Sequence, residues 1–196
     1  MEKPADTSAP VHDLIARRWS PRAFDVDTKL DQGTVRSLLE AARWAPSYGN
    51  TQPARFLFGI RPDAAFDRIL GTLTESNQGW ARRSSALFVG LAAARNDKGE
   101  VPYAEFGVGL ASANLVLQAV AEGLVAHQMA GFDAEAVRRE FGLPDDVRPV
   151  IAIAVGGAAE PEVLGEERRV ERERAPRDRI ALSEFAHEGD WGNPAF

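Results

Sequence analysis

Cysteine is absent from the 196 residues, which removes disulfides, thiolate metal sites and a cysteine nucleophile together. A reducing cytoplasm is compatible with that. Histidine is scarce as well, because His12, His127 and His187 lie far apart and lack the paired spacing of a zinc site. No metal centre is expected. No G-x-S-x-G elbow supports a Ser-His-Asp arrangement, no P-loop is present, and no G-x-G-x-x-G opens a helix after a strand. A Rossmann dinucleotide site is thereby disfavoured. A basic excess is also missing, since the formal net charge is -6 and the pI about 5.2, and nucleic-acid binding needs positive charge over a broad face. The first ten residues are small and polar and read as a flexible N-terminus without the apolar stretch of a signal peptide. No apolar run approaches the ~18 residues of a membrane span. The expectation is a cytoplasmic protein with neither nucleic acid nor membrane as partner.

What is present fits one domain over residues 1–196, a length sufficient for a core of its own. Leu30-Asp31 followed by Val35, Leu38, Leu39 and Ala42 has the spacing of an amphipathic helix, with Asp31 as its cap. Pro46 stops that helix near Trp44. Short apolar runs at 56–60, 86–91 and 150–155 read as strands, the last two buried on both faces. Residues 103–122 are apolar on nearly every side and rich in Gly and Ala, which predicts a helix either central to the domain or part of a subunit interface. Asp133 caps a further helix through Val137 and Phe141 that Gly142 and Pro144 end. Helices and strands mix without strict alternation, so the fold class is α+β. Residues 160–179 read as a polar, exposed or weakly ordered arm. The following 180–196 regain Leu182, Phe185, Trp191 and Phe196, an apolar tail that needs a surface to pack on, in a small protein often another subunit.

The chemistry concentrates in two places. Arg17-Arg18-Trp19-Ser20-Pro21-Arg22 gathers guanidiniums and a hydroxyl within a few residues, a density suited to a phosphate dianion and an electron-rich ring. Ala45-Pro46-Ser47-Tyr48-Gly49-Asn50-Thr51-Gln52-Pro53 is a loop of amides and hydroxyls closed by proline. Asn50, Gln52 and Asn77 offer amide partners for the pyrimidine edge of a flavin, and no side-chain acid or base stands out, as suits a cofactor that carries the chemistry itself. The bland alternative pairs the arginines with Asp25, Asp27 and Glu40 on the surface, an arrangement worth ~0–1 kcal/mol per pair.

These two segments, in this order and spacing, resemble the signature of the nitroreductase family of FMN enzymes, and the resemblance runs from about Leu14 to Trp191. It implies a central mixed, mostly antiparallel sheet flanked by helices and an intertwined homodimer. It also implies that Arg18, Trp19, Ser20 and Arg22 contact the phosphate, ribityl and pyrimidine groups of FMN. Pro46, Ser47, Asn50 and Gln52 would reach the same flavin from the partner subunit. Asn77 matches the family's flavin-contacting asparagine, and Met129, Ala130 and Gly131 match the segment that lies along the ring and offers backbone N–H near N5. At the C-terminal end Arg177 and Arg179 match the family's basic pair, with Arg172 and Arg174 as the alternative alignment.

The function so implied is an FMN-dependent NAD(P)H oxidoreductase that takes hydride from NADH or NADPH and passes electrons to a nitroaromatic or quinone in ping-pong fashion. Tyr48, Trp80 and Phe132 would shape access to the ring. Two alternatives stand beside it: a dehalogenase or desaturase of the same fold, and a non-catalytic flavin-binding protein.

Overall fold

The computed structural model describes residues 1–196. Its centre is a five-stranded sheet of β1 (Phe24–Asp25), β2 (Ala54–Ile60), β3 (Ala86–Ala93), β6 (Val125–Met129) and β7 (Val147–Ala158), with a separate small ribbon of β4 (Arg95–Asn96) and β5 (Gly99–Glu100). The long β7 pairs with β3, which pairs with β2, while β6 and β1 also pair with β7. Every pairing within the chain is antiparallel, in line with the mostly antiparallel sheet expected.

Alternation along the central strands divides the core into two layers. Leu87, Val89 and Leu91 of β3 face one side with Ala152 and Ala154 of β7, under α3 (Ala64–Thr72), α4 (Glu75–Ala81) and α6 (Ala134–Phe141). Ala86, Phe88, Ile153 and Val155 face the other, under α2 (Gln32–Arg43) and α5 (Ala104–Ala121). Helices therefore cover both faces of an α+β sheet. Asp31 caps α2 by accepting from the Thr34 N–H, and Asp133 caps α6 through Ala136, while Gly142 ends α6 at φ 61°. These follow the sequence expectations, including strands β3 and β7 buried on both sides.

Helix α5 is central to the domain on one face and exposed on the other. Val108, Ala111, Leu115 and Ala119 sit in the core, whereas Phe106 is 65% exposed and shares an outward stripe with Gly109, Leu110, Ala113 and Leu117. By length and composition this helix could cross a membrane, contrary to the expectation that no such run exists, yet half of it is buried inside the chain as a core helix.

Both ends of the chain carry local structure. The polar arm forms a 3₁₀ turn at Pro161–Leu164 and then α7 (Glu167–Arg174). At the N-terminus, α1 (Asp13–Arg17) follows an irregular segment that the Ala5 N–H ties to the Ala16 carbonyl at 2.8 Å. Lys3 is held too: its Nζ lies 4.5 Å from the Trp19 ring and donates to the Glu173 carbonyl at 2.8 Å and to that of Ala175. The tail, with α8 (Leu182–Phe185), leaves Phe185, Trp191 and Phe196 largely exposed within one chain.

Candidate functional site

Of the arginines in the first segment, which lie at one corner of the sheet, Arg17 pairs with Asp13 of its own helix at 2.6 Å, whereas Arg18 and Arg22 pair with no acid. Glu40 is taken by Arg43 at 2.6 Å, and Asp25 accepts from the Asp27 N–H and the Thr28 hydroxyl. Arg18, Arg22, Arg177 and Arg179 form no ion pair at all. Pairing of these arginines with Asp25, Asp27 or Glu40 is thus absent from the structure. Burial, and then the charges of Arg177 and Arg179, push the Arg18 guanidinium below its ordinary pKa, so three cations share one place without a counter-ion. That is an arrangement for an incoming anion. Ser20 Oγ, which accepts from Arg18 at 3.4 Å, lies in it.

Arg177 is aimed by the backbone around it, donating to the carbonyls of Lys3 at 2.8 Å and Ala16 at 2.6 Å. With Arg179 it lines a cleft of about 390 Å³ between residues 5–8 and 177–182. Of the two alternatives at the C-terminal end, Arg174 is engaged by Glu162, whereas Arg172 is unpaired and lies near Arg22 rather than Arg18.

Arg22 belongs to a second group. Its guanidinium sits 5.9 Å from the centre of the Trp80 ring, which stacks on Phe24 at 6.1 Å and lies 4.6 Å from His127. Trp80 is buried to 2% exposure, so it is a floor beneath Arg22 and not the access residue expected from sequence. His127, also buried, bonds through Nδ1 to the Pro21 carbonyl at 2.8 Å. Desolvation first, with the nearby Arg22 charge adding to it, lowers its pKa to about 4, so the ring is neutral at pH 7 with its Nδ1 hydrogen directed at Pro21.

Met129 ends β6 with its side chain in the core, and the chain then passes through exposed Ala130 to Gly131. The Gly131 carbonyl accepts from Asn77 Nδ2 at 2.9 Å and from the Thr74 N–H at 3.0 Å. A Cβ on Gly131 would fall 2.5 Å from Asn77 Nδ2, so only glycine permits this approach. Asn77 therefore spends its amide nitrogen on positioning the segment and keeps its oxygen. The N–H groups of Ala130 and Gly131 donate to nothing in the chain and are available to a ligand.

The 46–53 loop is built by backbone strain. Asn50 at φ 55° and Gln52 at φ 50° are left-handed, and the remaining non-glycine residue with positive φ, Tyr103 at 57°, touches the same loop through a Tyr48 ring contact at 5.5 Å. Ser47 Oγ accepts from the Gln52 N–H at 2.9 Å, and Pro53 is close enough to Gly107 of α5 that a Cβ there would lie 2.7 Å from it. Exposed non-glycine residues held in such backbone are a mark of functional loops. Pro46, Asn50 and Gln52 are exposed, and no hydrogen bond, ion pair or ring contact joins them to the arginine corner of the same chain.

One residue of this site escaped the sequence reading. Glu173 of α7 is buried to 2% exposure, and its Oε1 accepts from the N–H groups of Arg22 at 2.6 Å and Ala23 at 3.0 Å. Its only signal was position, since Val170 is the sole aliphatic residue of α7 and Glu173 falls on the same helical face.

The fold is shared with known proteins. A solved structure described as an oxidoreductase containing FMN superposes with a TM-score of 0.90 at 30% identity, over 96% of each chain. An uncharacterized 15.4 kDa protein of Mycolicibacterium smegmatis is 39% identical over 148 residues, 71% of this chain and 99% of the relative. A Streptomyces coelicolor protein provisionally named NADH dehydrogenase/NAD(P)H nitroreductase is 29% identical over 172 residues, 76% of this chain and 84% of its own. The model of the nitroreductase family matches residues 15–79 and 60–157, the stretch that carries Arg18, Arg22 and the strained loop, and the chain belongs to that family.

Proposed function

We propose that this protein is an FMN-dependent NAD(P)H oxidoreductase working as a homodimer. The observation that carries the reading is the set Arg18, Arg177 and Arg179, part-buried or exposed at one corner without an acidic partner. Such a set is costly unless a dianion such as the FMN phosphate completes it. The donor set fits the rest of that cofactor: Ser20 and Trp19 beside the phosphate, Arg22 for the pyrimidine edge, and the free N–H groups of Ala130 and Gly131 along the ring. FMN in the similar oxidoreductase and the NAD(P)H in the name of the Streptomyces relative support the same reading.

The amides of the 46–53 loop complete the site from the second subunit. This accounts for their separation from the arginines of their own chain, and for the exposed Phe106, Phe185 and Trp191, which a second copy would cover. When bound, FMN supplies the redox chemistry, accepting hydride from NADH or NADPH and reducing a nitroaromatic or quinone. The chain's own part is to bind, orient and exclude water. His127 stays neutral and frame-bound, so it moves no proton at pH 7. Donor and acceptor use one pocket in turn, in the cytoplasm.

Purified protein should be yellow with flavin absorbance that NADH or NADPH bleaches without oxygen and a quinone restores. Initial rates at several fixed quinone concentrations should give parallel double-reciprocal lines. Intersecting lines would rule out the shared pocket, and absorbance unmoved by either nicotinamide would rule out the enzyme.

A further inference from the structure

The only acidic side chain in the core is Glu173, and nothing about binding a negatively charged cofactor calls for a buried carboxylate beside it. Its surroundings explain it. The backbone from Pro21 to Phe24 is fastened at every residue: the Pro21 carbonyl by His127, the Arg22 and Ala23 N–H groups by Glu173, the Ala23 carbonyl by the Ala159 N–H at 3.0 Å, and the Phe24 carbonyl by Arg83 at 3.1 Å. Two successive amides aimed at one oxygen fix the peptide planes on both sides of Arg22. The side chain then leaves that turn over the Trp80 ring.

The same helix holds the other arginine group. Lys3 donates to carbonyls at the α7 C-terminus, and Arg177 donates to the Lys3 carbonyl, so α7 reaches Arg22 through Glu173 and Arg177 through Lys3. We infer that Glu173 is a positioning residue, which presets the Arg22 guanidinium for the flavin by the geometry of its two accepted hydrogen bonds and not by its charge. The inference rests on the flavin reading above. A preset guanidinium needs no reordering when the cofactor arrives, and this raises affinity.

Geometry and charge make opposite predictions for two conservative variants. Glu173→Gln keeps an oxygen able to accept both N–H groups but removes the charge, whereas Glu173→Asp keeps the charge one methylene short of them. FMN dissociation constants of the apoproteins, measured by flavin fluorescence quenching, should put E173Q within about threefold of the parent and E173D at about tenfold weaker or more. Glu171→Gln, on the exposed side of α7, should match the parent. The reverse order, or a lowered melting temperature with unchanged FMN affinity in E173D, overturns the inference. If E173D does not fold, E173Q decides alone: retained affinity supports acceptor geometry and a tenfold loss refutes it. Absence of FMN binding by the parent apoprotein would instead fail the flavin reading, and this inference with it.

Discussion

The arginine corner and the 46–53 loop belong to one proposed site but are stabilised in opposite ways. At the corner the backbone from Pro21 to Phe24 is tied down at every residue, and the stress is electrostatic: Arg18, Arg177 and Arg179 are held together without an ion-paired acid. In the loop there is little charge to speak of, and the stress is conformational, with Asn50 and Gln52 in left-handed backbone at the surface. The first kind of stress is relieved by a ligand that brings negative charge. The second is not relieved by added charge, because it resides in backbone dihedral angles. The corner should therefore respond to protons and anions, and the loop only to changes of residue.

The largest effect expected is acid sensitivity of the corner. The His127 ring is held to a pKa of about 4, while in the unfolded chain it titrates at its ordinary 6.5. As pH falls below 6.5 the unfolded state takes up a proton that the folded state refuses, so stability declines from there towards pH 4 and the loss levels off below. The gap amounts to on the order of 3 kcal/mol. Denaturant unfolding between pH 7 and 4 should show this decline, and His127→Asn, whose amide can donate to the Pro21 carbonyl, should flatten it. An identical pH profile in the variant would mean that other groups govern acid unfolding.

Next in size is the anion response. Arg18→Ala should weaken FMN binding by about ten- to a hundredfold, the value of one charge-assisted contact of ~1.5–3 kcal/mol. The melting temperature of its apoprotein should hold or rise, because a like charge has left Arg177 and Arg179. Arg43→Ala removes an exposed guanidinium already paired with Glu40 and should leave FMN affinity unchanged. Equal affinity in the two variants would reduce the corner to a charged surface.

Both halves of the proposed site stand out in the sequence because each puts its chemistry into a short run: guanidiniums at 18–22, amides and a proline at 46–53. The core strands and the caps at Asp31 and Asp133 were legible from periodicity and local hydrogen bonding. What stayed hidden depends on contacts between distant residues. Glu173 lies 151 positions from Arg22, in a run whose charge density reads as solvated, and only the packed fold turns that one carboxylate inward. Trp80 was misplaced for the same reason. An aromatic near a motif reads as an access residue until Phe24 and His127 are seen to enclose it.

The smallest effect, and the one that isolates the loop's half of the comparison, is the strain at Gln52. Left-handed backbone costs a residue with a Cβ about 1–2 kcal/mol, and glycine in its place recovers that cost but loses about 0.5–1 kcal/mol through the freer unfolded chain. Comparing Gln52→Gly with Gln52→Ala cancels the lost side chain, since both variants lack the amide. The glycine protein should melt above the alanine protein by about 1–3 °C, as expected for less than ~1 kcal/mol in a domain of this length. Its FMN affinity should be no better, because relief of φ strain adds no contact to the ligand. If the alanine variant melts as high as the glycine variant, Gln52 stores no strain, and the contrast between an electrostatic corner and a conformational loop fails at this residue.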